Sequence, residues 1–217
     1  MNIILSDKYK MVFTWLKRWF KNWFGKKKTI KLGFYGPPNA GKTTLANKIS
    51  IDWTGTEIGT VSEIPHETRE VQKKEKVVIR VGDRKIEMDL LDMPGIATKV
   101  DFEEFVKDHK MSEEEAKQRA KEATCGIIES IKWLENVDIA IVIFDASLDP
   151  YTQTNITIIG NFEARKIPVI LVANKMDLKN SNVNRIKNAF PQHDIVAISA
   201  KKGTNIDKLY KTIAKYA

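Results

Sequence analysis

Two stretches, IAIVIF at 139–144 and VILVA at 169–173, are apolar at every position. A strand with one wet face alternates polar and apolar residues, so unbroken runs of this length require cover on both faces, as in a parallel sheet flanked by helices. The surrounding pattern fits that demand. TIKLGFY (29–35) reads as a first strand, GPPNAG as a loop and KTTLANKIS as the start of a helix. KVVIRVGDRKIEMDLLD reads as two strands turning at Gly82 and Asp83. SEEEAKQRAKEA opens a helix of good formers expected over 112–135. Helices are expected at 151–165, at 183–190 and from Asn205, with strands DIAIVIFD, PVILVANK and DIVAISA between them. The expected fold is α/β, a doubly wound and mainly parallel sheet with one antiparallel strand from the hairpin. A chain of 217 residues suits one such domain, over 29–217, preceded by an arm at 1–28.

The loop after the first strand, Gly36-Pro37-Pro38-Asn39-Ala40-Gly41-Lys42-Thr43, with Thr44 next, fits G-x-x-x-x-G-K-[ST]. Its glycines let backbone N–H groups close around a phosphate, Lys42 adds positive charge, and the Thr43 hydroxyl can ligate Mg²⁺. This is the P-loop NTPase arrangement. Three elements follow in order at strand ends. In DMPG, Asp92 can reach Mg²⁺ through water and the Gly95 amide can bond a γ-phosphate. In NKMD, the Asp177 carboxylate can accept the N1–H and N2 amine of guanine, donors that adenine lacks; a buried acceptor left unpaired costs about 1–3 kcal/mol. Lys175 can lay its stem on the base, and Asn174 can tie this loop to the phosphate loop. In SAK, Ser199-Ala200-Lys201, the Ala200 amide can meet guanine O6. A switch ligand to Mg²⁺ is expected from the Thr-rich segment, where the residues alone leave Thr54, Thr56, Thr60 and Thr68 open.

These motifs, GPPNAGKTTL, PHETRE, DMPG, VILVANKMDL and SAKKG, make residues 29–217 resemble the translation-factor-related GTPases, and the Era-like branch most closely. The resemblance implies binding of GTP and GDP with Mg²⁺ and hydrolysis to GDP and phosphate, served by Lys42, Asn39, Thr68 and Gly95. It implies Thr68 as the switch ligand, by similarity of Pro65-His66-Glu67-Thr68-Arg69-Glu70 to the family's Pro-Gly-Thr-Thr-Arg-Asp; Glu67 and Glu70 depart from that pattern. Where Ras-like enzymes place a water-orienting glutamine, this chain has Ile96, so slow intrinsic turnover is expected. Asn39 has two readings: several relatives use an asparagine here to help hold K⁺, and asparagine also tolerates left-handed backbone. A nucleotide switch implies an effector protein as well. The alternative in a different class is a guanine-nucleotide-binding module with negligible turnover. The C-terminal KH domain with which Era binds RNA is not expected, since the GTPase pattern runs to Ala217.

Net charge sharpens the division of the chain. Residues 1–31 hold nine of the 36 basic residues and one of the 28 acids, which leaves 27 of each sign in the other 186; the whole excess of +8 lies at the front. As a helix, 10–24 would line Val12, Trp15, Leu16, Trp19, Phe20 and Trp23 along one face, with Lys10, Thr14, Lys17, Arg18, Lys21 and Asn22 on the other. At roughly 22 Å with a charged face, it is suited to lie at a membrane interface and not to span it. The first expectation for residues 10–28 is therefore an anionic membrane surface, with RNA or the ribosome second and packing on the domain third. No secretory pattern is present and Cys125 is the one cysteine, which fits a cytoplasmic protein, peripheral at the inner face of the membrane. Cys125 is expected to be a small buried residue and the three histidines to be exposed loop residues. Glu113 to Glu115 reads as a solvated helix start or as part of a switch that meets a partner.

Overall fold

A computed structural model of the chain describes residues 29–59, 70–96, 103, 106 and 111–217. The arm at 1–28, the threonine expected to act in the switch, Thr68, and two of the histidines, His66 and His109, lie outside the described residues.

Six strands form one sheet: β1 (Ile30–Tyr35), β2 (Gln72–Val81), β3 (Arg84–Asp92), β4 (Ile139–Asp145), β5 (Val169–Asn174) and β6 (Asp194–Ala197). Their order is β2-β3-β1-β4-β5-β6, with every pairing parallel except β2 with β3. The helices are α1 (Lys42–Thr54), α2 (Glu113–Lys132), α3 (Gln153–Ala164), α4 (Val183–Ala189) and α5 (Ile206–Tyr216). The doubly wound expectation holds.

β4 shows why its sequence cannot alternate. Ile139, Ile141 and Ile143 enter a core with Leu32, Phe34, Leu45 and Ile49, closed by Ile206, Leu209 and Ile213 of α5. The intervening Ala140, Val142 and Phe144 enter a second core with Ile158, Ile159 and Phe162 of α3. Each buried aliphatic or aromatic side chain contributes about 1.5–3 kcal/mol relative to exposure, so helices on both faces are what stabilise the sheet.

The hairpin turns at Gly82, whose φ of +57° suits glycine, as expected. β2 begins four residues before the expected Lys76, because Gln72–Lys74 pair with Leu90–Asp92 across an irregularity between Lys74 and Val77. QKKE (72–75) carries no apolar strand signal, and an edge strand wet on one side needs none. At the irregularity Lys76 takes φ +55° and its N–H donates to Asp89 Oδ1 at 3.0 Å.

α2 opens on a capping box. The Glu115 amide donates to Ser112 Oγ at 3.3 Å, and the Ser112 amide donates to Glu115 Oε2 at 3.0 Å. Glu113 pairs with Lys117, so these acids act as a helix start. α2 then ends at Lys132 and tightens into a 3₁₀ turn at Trp133–Asn136, three residues short of the expected Glu135. Two expectations need correction. Cys125 is exposed on α2, not buried, because its position faces away from the sheet. His193 is half-buried, with Nε2 2.9 Å from Glu163 Oε1, because the loop before β6 folds back on α3.

Replacing Ile141 by Ala, in the strand buried on both faces, is expected to lower unfolding stability by about 2–5 kcal/mol in urea titration. Ile156→Ala, at a site 44% exposed on α3, is expected to change it by under about 0.5 kcal/mol.

Candidate nucleotide site

The carboxyl ends of β1, β3, β5 and β6 lie along one edge of the sheet, and the loops that leave them meet there. Gly36 follows β1, and Gly41 caps α1 with φ +94°; a Cβ on Gly41 would lie 2.3 Å from Asn174 Nδ2, so glycine is required by both backbone and space. Asn39 sits at φ +58°, which accords with the reading that asparagine is tolerated there for its backbone. Lys42 is buried and donates from Nζ to the Pro37 carbonyl at 2.9 Å, so its ammonium curls over the loop. Pro38 meets the next element, with a Cβ on Gly95 only 3.0 Å from its Cα. The Ile96 amide donates to the Gly36 carbonyl at 3.2 Å. Thr44 lies in the first turn of α1.

Asp92 ends β3 fully buried. Its Oδ2 accepts the Thr43 hydroxyl at 2.6 Å, whereas Oδ1 is buried with no hydrogen-bond partner. Burial lifts its pKa from the usual 3.8 to about 6 against the opposing pull of Thr43 and Lys42. Burial likewise lowers Lys42 to about 8, partly offset by Asp92. An oriented carboxylate with an idle buried oxygen beside a threonine hydroxyl is a donor set that a hard cation fits. Ile96 is 7% exposed and packs into the second core with Tyr35, Leu91 and Met93, so its side chain is turned away from solvent.

The loops that leave β5 and β6 are joined to the phosphate loop by one side chain. Asn174, at the end of β5, donates from Nδ2 to the Ala40 carbonyl at 2.9 Å and accepts the Ala200 amide at Oδ1, also at 2.9 Å. The tie from Asn174 to the phosphate loop was expected. The Ala200 amide, which the sequence nominates for guanine O6, donates to Asn174 Oδ1. Asp177 Oδ1 accepts the Ser199 hydroxyl at 2.6 Å, and that hydroxyl also receives the Lys202 amide at 3.1 Å; Lys201 stands exposed beside them. Asp177 is therefore oriented, and Ser199 holds its pKa below the usual carboxylate range.

Three contributors carried no motif. Asp145 closes β4 in register with Asn174 and binds Lys175 Nζ at 2.7 Å. An acid ending a wholly apolar strand beside the Asn174 strand was the available signal. Asn47 on α1 accepts the Ile58 and Gly59 amides at 2.8 and 3.1 Å and donates to the Gly59 carbonyl at 2.6 Å, folding the polar segment back on the helix. Ser130 on α2 is buried and donates to the Pro94 carbonyl at 3.0 Å, which fastens the loop of Asp92 and Gly95 to α2.

The raised pKa of Asp92 fixes the sign of a pH effect. The folded chain holds a proton there that the unfolded chain has lost, so this group's contribution is fully present below about pH 3.8 and lost as pH rises through about 6. In the absence of nucleotide and Mg²⁺, the stability of Asp92→Asn relative to the unaltered protein is expected to rise by up to about 3 kcal/mol from pH 4 to 6.5, then stay level. Urea midpoints at half-unit pH steps check this, and a pH-independent difference refutes it.

Comparison with known proteins accords with this geometry. Residues 31–175 match the family model described as 50S ribosome-binding GTPase. GTPase Era of Alkaliphilus oremlandii is 30% identical over 198 residues, 87% of this chain and 57% of that protein. Among solved structures, a variant of Aquifex aeolicus Era bound to GDP·AlF4⁻ superposes with a TM-score of 0.65 at 26% identity, over 87% of this chain and 57% of that one. Era in complex with MgGDPNP and nucleotides 1506–1542 of 16S ribosomal RNA superposes with a TM-score of 0.61 at 29% identity, over 88% of this chain and 57% of that one. The chain thus spans little more than half the length of these relatives. With a family match over more than half of its residues, and with the phosphate loop, Asp92 and Asn174 joined at one sheet edge, the chain belongs to the 50S ribosome-binding GTPase family.

Proposed function

We propose that this protein binds GTP and Mg²⁺, hydrolyses GTP slowly to GDP and phosphate, and acts as a nucleotide-dependent switch. The observation that carries the reading is the bridging of the phosphate loop and the base-side loops by the Asn174 amide, which assembles one continuous nucleotide-shaped edge from Gly36 to Ala200. In that edge the phosphate-loop amides and Lys42 would hold the phosphates, and Asp177, Lys175 and Ala200 the guanine. For Ala200 to meet the base, its amide must share or leave Asn174 Oδ1. Thr43 and Asp92 would hold Mg²⁺, with Thr68 joining in the GTP state. The cation would offset charge on the β- and γ-phosphates. The crystal structure of a relative with MgGDPNP supports this use of the site.

Slow turnover follows from Ile96. Its buried hydrocarbon side chain has no group to orient water, so water must be positioned by backbone or by a partner. Asn39 would help K⁺ supply the positive charge missing at the transition state. Lys42→Ala is expected to lower turnover at least ~100-fold, since it removes the one buried cation of the loop. KCl is expected to give faster hydrolysis than NaCl at equal ionic strength. Turnover unaffected by the substitution would leave a nucleotide-binding module, and equal rates in the two salts would remove K⁺.

The nucleotide state would be reported to an effector through residues 51–70 and 93–125. Ser130 supports that route, because it couples the loop of Gly95 to α2. The arm, outside the described residues, would bind an anionic partner through residues 10–28. Its alternation of tryptophans with lysines favours a membrane interface, which places the switch in the cytoplasm at the inner face of the membrane. Among the described residues no helix is long and apolar enough to cross a membrane. The second reading, RNA or the ribosome, is favoured by the family description and by the relative bound to 16S ribosomal RNA. The full chain is expected to co-sediment with vesicles of anionic lipid in a salt-sensitive way and to lose this on removal of residues 1–27. Arm-dependent binding to ribosomal RNA with none to vesicles would exchange the two readings.

A further inference from the structure

The carboxylate of Asp145 lies outside all of the sequence motifs, yet it sits against the base-reading loop. β4 and β5 pair with Asp145 opposite Asn174, so the last residue of β4 is one step from Lys175. Asp145 Oδ2 is 2.7 Å from Lys175 Nζ, and its side chain is only 12% exposed. Oδ1 accepts the Ser147 amide at 2.9 Å and the Ser147 hydroxyl at 2.6 Å. The two loops are stitched further by Ala146 N–H to the Asn174 carbonyl at 3.0 Å and Asn182 N–H to the Ala146 carbonyl at 2.8 Å.

Lys175 is held at both ends. Its backbone takes φ +62°, a conformation uncommon for a side-chain-bearing residue, and its carbonyl accepts the Leu178 amide and the Ser181 hydroxyl. Its ammonium is fixed on Asp145, so the alkyl stem is held from both ends. Burial alone would raise the Asp145 pKa, but the Lys175 and Ser147 donors hold it below the usual carboxylate range, so its carboxylate is charged at neutral pH. The fold does not need that charge. An asparagine would offer Ser147 the same acceptor in nearly the same volume, and the Lys175 side chain, 31% exposed, can turn its freed ammonium to water.

We propose that Asp145 is a positioning residue for purine recognition, holding the Lys175 stem in place as an apolar rail on which the flat face of the base rests. The ordering of the lysine then precedes nucleotide binding, so less entropy is lost when the nucleotide arrives. The proposal rests on the base-site reading of Lys175 and adds to it a residue that never touches the ligand.

The test uses the full chain with fluorescent GDP, comparing the unaltered protein, Asp145→Asn, Lys175→Met and the double substitution. Asp145→Asn is expected to speed GDP release about tenfold with an unchanged thermal midpoint, and to add less than about twofold in the Lys175→Met background. Asp145→Glu, which keeps the charge, is expected to recover release to within about threefold of the unaltered protein. Inosine diphosphate, which lacks the 2-amino group, is expected to weaken by the same factor as GDP in Asp145→Asn, because a stem under the ring reads no exocyclic group. Asp177→Ala instead narrows the preference for GDP. Unaltered release in Asp145→Asn overturns the proposal, as does a full tenfold effect persisting without the lysine. If Lys175→Met itself leaves release unchanged, the base-site reading of Lys175 falls and the proposal with it. If Lys175→Met weakens binding and Asp145→Asn does not, only the proposal falls.

Discussion

The primary amide of Asn174 is where the nucleotide edge is held together. Buried to 3% exposure at the end of β5, it uses its NH₂ on the Ala40 carbonyl and its oxygen on the Ala200 amide, so three loops from distant parts of the chain share one side chain. Only a group with both a donor and an acceptor on one short stem can serve two backbone groups of opposite polarity in that space. Gly41 is the matching concession, since any Cβ there would collide with the amide nitrogen. Asn174 can do this because β5 is a rigid central strand, covered by both cores, which fixes where its last residue points.

The same edge carries the costliest groups in the described part of the protein. Lys42 and Asp92 are both buried ions, each pushed toward its neutral form by desolvation. A fold selected for stability alone would replace them with apolar residues of similar size. Their retention, together with an Asp92 oxygen that has no hydrogen-bond partner among the described residues, fits the proposed site, where a cation would coordinate that oxygen and Lys42 would face a phosphate. Stability is given up at the phosphate end. The loops after β4 and β5 differ: Asp177 and Asp145 are oriented by hydroxyls and a lysine, and both are held in their charged forms.

Much of this was legible before any coordinates because the signals are local. A strand covered on two sides must be apolar at every position, a phosphate loop must have glycine where φ is positive or space is short, and a helix start must satisfy its own amides, as Ser112 and Glu115 do. Edge positions were less legible. Gln72 to Lys74 form ladder bonds although all three are polar and none is fully buried, and no composition signals that. The exposure of Cys125 depended on which face of α2 met the sheet, and small residues occur on either face. Asn47, Ser130 and Asp145 are ordinary residues in sequence; each matters because of a partner between 11 and 36 residues away, Ile58, Pro94 and Lys175 in turn, that only folding brings near.

The order of strands and helices, the four loops at the nucleotide edge and the gathering of all excess charge into the first 31 residues were determined by the sequence alone. Periodicity, glycine placement and charge count are properties of the chain itself. Tertiary structure decided which groups within those loops engage one another. It gave the Ala200 amide to Asn174, tied Pro94 to Ser130 and set the Lys175 ammonium on Asp145. Such pairings depend on sheet register and helix rotation, where a shift of one residue moves a side chain to the opposite face.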